Sequence, residues 1–208
     1  TVYSCRMIAL LLAQATTPVV SHLAGKWADA PVSAVMRQTP TEEGGAVVNV
    51  QLTIERNGQK VVVIQETTYD RDARPLRQLS STDNGRAIGR ASVLFGPLGA
   101  EWRRDGGAPI TVAAPEGVST RSPHVFWFVR TRPAAGATEK YARFSADIGQ
   151  WTVSTVTYRG PERIPSLGRM VDAHRIEEAD ATTWVDGTGR VLRLRRGELL
   201  LERVEANP

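Results

Sequence analysis

Three histidines are the side chains of this sequence best suited to general acid–base work or to metal binding. They are His22, His124 and His174. No two of them have the i, i+4 spacing of ligands on one helix face, and the single cysteine allows no C-x-x-C pair. A catalytic reaction would have to use His124 or His174. Its acidic partner would be a residue such as Asp172 or Glu178. Because these spacings form no nucleophile–base pair and no metal cluster, we predict a protein without a catalytic residue, a metal or a cofactor.

Other short motifs with a chemical meaning are incomplete. Asp70-Arg71-Asp72 places two carboxylates close together, but it lacks the further oxygen ligands and the closing glutamate of an EF-hand loop, so we interpret it as a turn. Ser166 lies in Pro165-Ser166-Leu167-Gly168, which does not match the G-x-S-x-G of serine hydrolases. The glycines between residues 85 and 99 belong to no strand-to-helix unit, so they do not predict a phosphate site.

An aromatic segment, Phe126-Trp127-Phe128, is the strongest candidate for binding an apolar ligand. It lies in an apolar run, residues 125–129, in which no polar residue alternates. Ser122-Pro123 is typical of a helix N-cap followed by proline at the first helical position, and Pro133 sets the end of such a helix. These signals predict a short helix, and a strand buried on both faces is the alternative.

The candidate ligand-binding residues are Phe126, Trp127, Phe128 and Trp184, the last on a predicted strand. Large aromatic side chains most often fill a core. In the mouth of a β-barrel they can instead line a cavity for an apolar molecule. A cavity of about 300 Å³ or more beside Trp127 or Phe128 would favour binding, whereas voids of only water size would favour packing.

A β-hairpin is predicted around Asn57-Gly58. Apolar and polar residues alternate from Val48 to Ile54, which is the pattern of a half-buried strand, and a second apolar series follows the Asn-Gly pair. Asn-Gly favours a two-residue type I′ turn because both central residues need a positive φ. The register then places Arg56 opposite Gln59, Glu55 opposite Lys60, Ile54 opposite Val61 and Leu52 opposite Val63.

Turn signals divide most of the remaining chain into short strands. A second hairpin is predicted at Asn84-Gly85, with Asp83 opposite Arg86. A turn is predicted at Gly160-Pro161, and a short helix is predicted over Val20–Trp27. Further strands are predicted at about residues 75–82, 87–95, 98–104, 108–114, 138–147, 151–158, 169–178, 181–185, 190–195 and 198–204.

The predicted fold class is all-β and mainly antiparallel. We expect a single strongly curved sheet, either a half-barrel or a barrel with one or two short helices, that forms one domain over residues 16–208. A chain of 208 residues with 41% hydrophobic and 23% charged residues is typical of a globular protein. Its 26 basic and 22 acidic residues give a net charge of +4 and are scattered, so nucleic-acid binding is not expected.

The first fifteen residues resemble a secretory signal peptide. Arg6 precedes an apolar run, Met7–Ala13, and Ala13-Gln14-Ala15 has small residues where signal peptidase requires them. The run is too short for a membrane span, which needs about 20 apolar residues. We therefore predict a signal segment over residues 1–15 and a periplasmic or secreted protein, and an ordinary N-terminal helix is the alternative.

Three motifs between about residues 76 and 204 have the order and spacing of a known family. They are the aromatic segment with Arg130 and Pro133-x-x-Gly136, then Gly160-x-Glu162-x-Ile164, and then Trp184-Val185-Asp186-x-x-Gly189-Arg190-Val191-Leu192-Arg193. They resemble a family of uncharacterised periplasmic β-proteins near the lipoprotein-carrier fold of LolA and LolB. The resemblance implies a strongly curved antiparallel sheet closed by short helices, with a concave apolar surface. It brings no catalytic residue.

We therefore expect an exported, non-enzymatic β domain that binds a lipid, a lipoprotein acyl chain or another apolar ligand in its concave sheet. The main alternative is a structural or protein-interaction module of the cell envelope with a fully packed core. A hydrolase is the least favoured function. No membrane span is expected.

Overall fold

The computed structural model describes residues 17–122 and 127–205 as one antiparallel sheet with a single short helix, α1 (Phe128–Thr131). The strands are β1 (Val19–Trp27), β2 (Ala30–Pro40), β3 (Ala46–Arg56), β4 (Gln59–Tyr69), β5 (Pro75–Asp83), β6 (Ile88–Gly96), β7 (Gly99–Arg104), β8 (Ile110–Ala113), β9 (Thr138–Ser145), β10 (Gln150–Ser166), β11 (Arg169–Glu177), β12 (Ala181–Val185), β13 (Val191–Arg196) and β14 (Leu199–Arg203). The all-β, antiparallel fold class is thereby confirmed.

The sheet is a meander that is joined through its first and last strands. Each of β1 to β7 pairs with the next strand, and so does each of β9 to β13. β1 also pairs with β14, for example Gly25 with Leu201. The 14-stranded sheet is not closed, because β8 and β9 are its two edges and do not pair with each other.

The hairpin of β3 and β4 has the predicted register. Arg56 pairs with Gln59 and Ile54 pairs with Val61, and the other two predicted pairs are also present. Asn57 and Gly58 have φ angles of 51° and 72°, the positive values that a type I′ turn requires. Turn chemistry and side-chain alternation agree here, and together they fix which side chains of both strands face inward.

The prediction of a helix over Val20–Trp27 is wrong, because these residues belong to β1. Ser21 and Leu23 are 3% and 2% exposed, so buried side chains alternate with more exposed ones as on a strand. The backbone N–H of Val191 donates to Ser21 Oγ over 2.9 Å. This bond gives the buried hydroxyl of Ser21 a hydrogen-bond partner at the start of β13.

The second hairpin has its tip at Asn84-Gly85, but the predicted pairing of Asp83 with Arg86 is wrong. Asp83 pairs with Ile88, so the loop has four residues. Asn84 Oδ1 accepts hydrogen bonds from the backbone N–H groups of Arg86 (3.0 Å) and Ala87 (2.9 Å). Asparagine side chains that bind nearby backbone in this way stabilise a wider turn than the two-residue one.

The predicted turn at Gly160-Pro161 is also wrong. β10 continues through these residues and is 17 residues long. The register with β11 shifts between Tyr158 and Gly160, and Gly160 has a φ of 106°. A glycine with positive φ accommodates an extra residue as a β-bulge, so the strand bends there without ending.

The hairpin of β9 and β10 packs against the inner face of β6 to β8, which is the face that carries the core side chains. Phe144 lies edge-on to Phe95 with the ring centres 6.1 Å apart. The indole N–H of Trp102 donates to the carbonyl of Ala146 over 2.7 Å. The indole N–H of Trp151 likewise donates to the carbonyl of Val112 over 3.3 Å, which links β10 to the edge strand β8. Side chains therefore connect the two ends of the sheet where no strand ladder does.

The main core lies between β1 to β3, β9 to β14 and α1. Its buried members are Leu23, Val32, Ala34, Trp127, Phe128, Tyr141, Val156, Tyr158, Ile176, Val185, Val191 and Leu201. The chain connecting β8 to β9 runs beside this core, and Ser119 accepts a hydrogen bond from the backbone N–H of Ala142 over 2.7 Å. Of the residues described, no helix has the length and apolar character needed to cross a membrane.

Candidate functional site

Trp127 and Phe128 are core side chains at the start of α1. They are 7% and 2% exposed. The helix ends after one turn because Arg132 takes a left-handed conformation, with φ 40° and ψ 61°, while its N–H donates to the carbonyl of Phe128. The predicted short helix is therefore present and stops before Pro133. Phe126 and His124 lie outside the described residues.

Phe128 packs on a hydrogen-bonded tyrosine–histidine pair. Its ring centre is 5.5 Å from that of Tyr158 and 4.5 Å from that of His174. The Tyr158 hydroxyl and His174 Nδ1 are 2.7 Å apart. Burial lowers the pKa of His174, with the positive charge of Arg132 as a second cause, and burial raises the pKa of Tyr158. Both shifts favour the neutral forms, so the protonated phenol can donate a hydrogen bond to an unprotonated Nδ1, which stabilises the packing of these rings.

The acidic neighbour considered for His174 points elsewhere. The side chain of Asp172 is 92% exposed, and its Oδ1 lies 3.8 Å from Arg163 Nε. Phe128 and Tyr158 occupy the space around the imidazole. The histidine and this carboxylate thus do not face a common cleft.

Trp184 lies in a different cluster from Trp127 and Phe128. It packs with Ile164, Ala173 and Leu192, whereas its neighbour Val185 belongs to the main core. Successive strand residues face opposite sides of a sheet, so the indole lies on the face away from α1. The guanidinium groups of Arg175 and Arg193 lie 6.0 and 5.7 Å from its ring centre, and its N–H donates to Glu162. The structure thus brings together Trp127 and Phe128 but not Trp184.

A cavity of about 330 Å³ lies elsewhere, between β2 to β6 on one side and β9 on the other. We call it the inner cavity. It is lined by Met36, Val48, Val50, Gln65, Thr67, Tyr69, Pro75, Gln78, Ser80, Phe95, Thr120, Ser122, Tyr141, Ala142, Arg143, Phe144, Ser145, Ala146, Asp147 and Arg196. None of the candidate ligand-binding residues predicted from the sequence is among them.

One wall of the inner cavity is polar although it belongs to the interior of the sheet. Thr67, Gln78 and Ser80 are only 4%, 6% and 8% exposed. Thr67 pairs with Gln78 across β4 and β5, and Gln65 pairs with Ser80, so all four lie on the inner face. Val48 and Val50 continue this face on β3 and line the same space. The wall therefore offers hydrogen-bonding groups next to apolar ones.

Within the described parts of the chain, the amide of Gln78 has no hydrogen-bond partner, unlike its polar neighbours. Gln65 Nε2 donates to Thr67 Oγ1 over 3.4 Å, and Ser80 Oγ donates to Asp147 Oδ1 over 3.3 Å. The amide is not one of the fully buried polar atoms without a partner, and it faces the cavity, where water can reach it. An amide placed in this way is a group that a bound molecule can satisfy in place of water.

Two arginines lie at the opening of the inner cavity. Arg196 Nε pairs with Asp180 Oδ2 at 2.7 Å. Arg143, on β9, makes no ion pair with any residue that the structure describes. Burial of part of its side chain lowers the pKa of Arg143, and the positive charge of Arg196 lowers it further, against the opposing effect of Asp180. Arg143 is therefore a cation that shares the partial compensation of Asp180 with Arg196 and forms no ion pair of its own among the described residues.

Tyr69 contributes a neutral phenol to the same cavity. Burial raises the pKa of Tyr69, and hydrogen bonds with Ser122 and Thr67 oppose this effect. The phenol is thus protonated at neutral pH and can donate a hydrogen bond. No feature of the sequence pointed to this site. Gln78 and Ser80 occupy alternate positions of a strand whose other face is also largely polar, so the sequence does not show which of the two faces is buried.

A smaller cavity of about 240 Å³ lies beside Trp127, with Asp72, Arg74, Ser119 and Arg121 among its lining residues. Arg121 forms an ion pair with Glu139.

The Asp70-Arg71-Asp72 motif is a turn, as predicted, because Asp70 Oδ1 accepts hydrogen bonds from the N–H groups of Asp72 and Arg74. Across the described ranges, no three His, Cys, Asp or Glu residues are grouped as metal ligands.

Comparisons with known proteins identify the fold. No protein-family model matches the sequence, and no curated protein matches it. A β-barrel-like protein of the domain of unknown function DUF1849 from Brucella abortus superposes with a TM-score of 0.62 at 12% identity, over 89% of this chain and 93% of that one. A DUF1089 family protein from Pseudomonas aeruginosa gives a TM-score of 0.46 at 16% identity, over 81% and 90% of the two chains. The chain is similar in fold to β-barrel-like proteins of unknown function.

Proposed function

We propose that this protein is an exported, non-enzymatic binding protein that holds a small amphipathic molecule in its inner cavity. The observation that carries the proposal is the amide of Gln78, which is 6% exposed and lines a space of about 330 Å³. A packed protein interior leaves few voids larger than a water molecule. A space of this size with a polar wall is typical of small-molecule sites.

The lining of the inner cavity supports a ligand with both polar and apolar parts. Val48, Val50 and Phe95 supply apolar surface, while Gln78 and Ser80 supply hydrogen-bonding groups. The sequence resemblance to uncharacterised periplasmic β-proteins near the lipoprotein-carrier fold makes a short lipid or a lipoprotein acyl chain one member of this class. Contact of Trp127, Phe128 or Trp184 with a ligand stays a prediction, and the burial of these residues supports a packing role for them.

The test is binding of prodan, an uncharged fluorescent amphipath small enough for the cavity, measured by titration. The wild type is expected to bind it saturably. Val50→Phe fills the cavity and should weaken binding at least about tenfold, whereas Gln51→Phe, on the opposite face of the same strand, should leave it unchanged. A fluorescent fatty acid tested in parallel shows whether a long acyl chain is accepted. Absence of saturable prodan binding, or equal loss in both variants, would refute the proposal.

The second candidate function is protein interaction within the cell envelope. An open groove of about 420 Å³ lies on the outer face of β3 to β7, where Ile64 and Leu79 lie beside Arg90 and Arg103. Leu94, on the same part of the sheet, is 53% exposed. Exposed apolar side chains are common on protein surfaces, so this groove supports the second function less strongly than the inner cavity supports the first.

A further inference from the structure

We propose that the ligand of the inner cavity is a small organic acid whose carboxylate binds Arg143 and whose second polar group binds Gln78. This inference rests on the proposed binding function and specifies the chemical class of the ligand.

The position of Arg143 on β9 supports the first contact. Alternation along β9 places Arg143 on the same face as Tyr141 and Ser145, and all three line the inner cavity. The adjacent Phe144 is 5% exposed and packs with Phe95 and Trp151. Because this anchored ring fixes the strand, the backbone of Arg143 is held beside the cavity, and its side chain lies within reach of that space.

The charges around Arg143 favour an anion. The charge of Arg196 is largely compensated by Asp180, whose carboxylate is 2.7 Å away. Asp147, the carboxylate among the lining residues, accepts a hydrogen bond from Ser80. It lies in the turn after β9, whereas Arg143 lies within the strand. An anion beside Arg143 would therefore meet a cation that neither carboxylate ion-pairs with among the described residues.

A carboxylate suits this cation in both shape and charge. The planar guanidinium donates two parallel hydrogen bonds to one carboxylate, and it stays charged at any physiological pH. The side chain of Arg143 is partly exposed at the opening, so an entering ligand can reach it. Deeper in the cavity, the amide of Gln78 can donate to or accept from a hydroxyl, carbonyl or amine of the same molecule.

Acid–amide pairs test the inference, because the two members of a pair differ mainly in charge. The probes are 8-hydroxyoctanoate against 8-hydroxyoctanamide, and 4-hydroxyphenylacetate against 4-hydroxyphenylacetamide, titrated by calorimetry into the full chain. At least one acid is expected to bind about tenfold more tightly than its amide. Arg143→Gln should remove this preference while prodan binding persists, and Arg143→Lys should restore part of it. Arg56→Gln, at an exposed hairpin end, is the matched control and should behave as wild type.

The outcomes separate this inference from the proposed function. If prodan binds and neither acid is preferred over its amide, the inference is wrong and the binding function stands. The same conclusion follows if prodan binds and none of the four probes does. An acid preference that survives Arg143→Gln would also overturn the inference. If prodan does not bind, the proposed function fails, and the inference that rests on it fails as well. Melting temperatures of the variants show whether any loss reflects unfolding.

Discussion

At the scale of single residues, Gln78 combines burial with an amide that faces the inner cavity. Its ladder partners are Thr67 and the fully buried Val93, and Val48 lies beyond Thr67 on the same face, so an apolar side chain would also fit at this position. We expect Gln78→Leu to leave the free energy of unfolding unchanged or to raise it by up to about 1 kcal/mol, since it removes a buried polar group without a partner. The same change should weaken prodan binding.

Urea unfolding and the prodan titration measure the two effects. Gln51→Leu, on the exposed face of β3, is the matched control and should alter neither by much. A loss of about 2 kcal/mol or more in Gln78→Leu would show that the amide has a structural partner and would remove the main support for the proposed site.

His174 predicts a pH dependence of stability. The pKa of His174 is lowered in the folded protein, chiefly by burial. The unfolded chain takes up a proton near the ordinary histidine value of about 6.5, whereas the folded chain resists it until a lower pH. Below that value the unfolded state binds more protons, so the contribution of His174 to stability is fully present above about pH 6.5 and is lost as the pH falls.

The measurement is urea unfolding of wild type and His174→Gln between about pH 7.5 and pH 5.5, on either side of the ordinary histidine value. The wild type should lose more stability over this range than the variant does. Identical slopes would mean that the imidazole is as free to titrate in the folded state as in the unfolded one.

At the scale of elements, the link between the two ends of the sheet depends on the tip of the β9–β10 hairpin. Gly149 has a φ of +67°, and a Cβ added there would lie 2.7 Å from the ring of Trp102. Gly85 has a similar φ of +76°, but nothing lies within 4 Å of a Cβ at that position. The two glycines thus form a matched pair, in which only the contact with Trp102 differs.

We expect Gly149→Ala to destabilise the protein by about 1–3 kcal/mol more than Gly85→Ala, because both changes force alanine into a left-handed conformation and only one meets a neighbouring ring. Thermal unfolding compares the variants. Hydrogen exchange should also rise first in β8 and β9 of Gly149→Ala. Equal losses in the two variants would show that the Trp102 contact does not hold the ends of the sheet together.

Elements governed by local chemistry could be predicted, and those governed by distant contacts could not. Asn57-Gly58 determines its own turn, so the sequence predicts the register of β3 and β4 correctly. Ser21 in β1 binds Val191, 170 residues away, and no local pattern contains that contact. Gly160-Pro161 has the composition of a turn, but its pairing with Arg175 and His174 continues the strand.

The inner cavity could not be predicted for the same reason. The polar side chains of Thr67, Gln78 and Ser80 become informative only when the inner face of β4 and β5 is known. The aromatic segment drew attention because residues 125–129 are apolar without polar alternation, and that property also makes Trp127 and Phe128 core residues. Hydrophobicity alone does not separate a packed ring from one that touches a ligand.

At the scale of the whole molecule, the open sheet creates the cavity. β9 has a buried side chain on each face, since Tyr141 joins the main core and Phe144 joins the cluster of Val93 and Ala100. A strand enclosed in this way lies inside the curve of the sheet and leaves a space beside β2 to β6. The similarity in fold to a DUF1849 protein at 12% identity carries no function with it, because function depends on the residues placed on a fold.

The last prediction concerns the location of the whole protein. Arg6, the apolar run Met7–Ala13 and the small residues of Ala13-Gln14-Ala15 together match the three regions of a secretory signal. We expect mass spectrometry of the protein purified from its native host to show a mature chain that begins at Thr16, recovered from the periplasm or the medium. Ala15→Gln should block cleavage, because signal peptidase needs a small residue there, and should leave the precursor attached to the membrane fraction. An uncleaved chain in the cytosol would contradict export and would restrict the inner cavity to ligands found inside the cell.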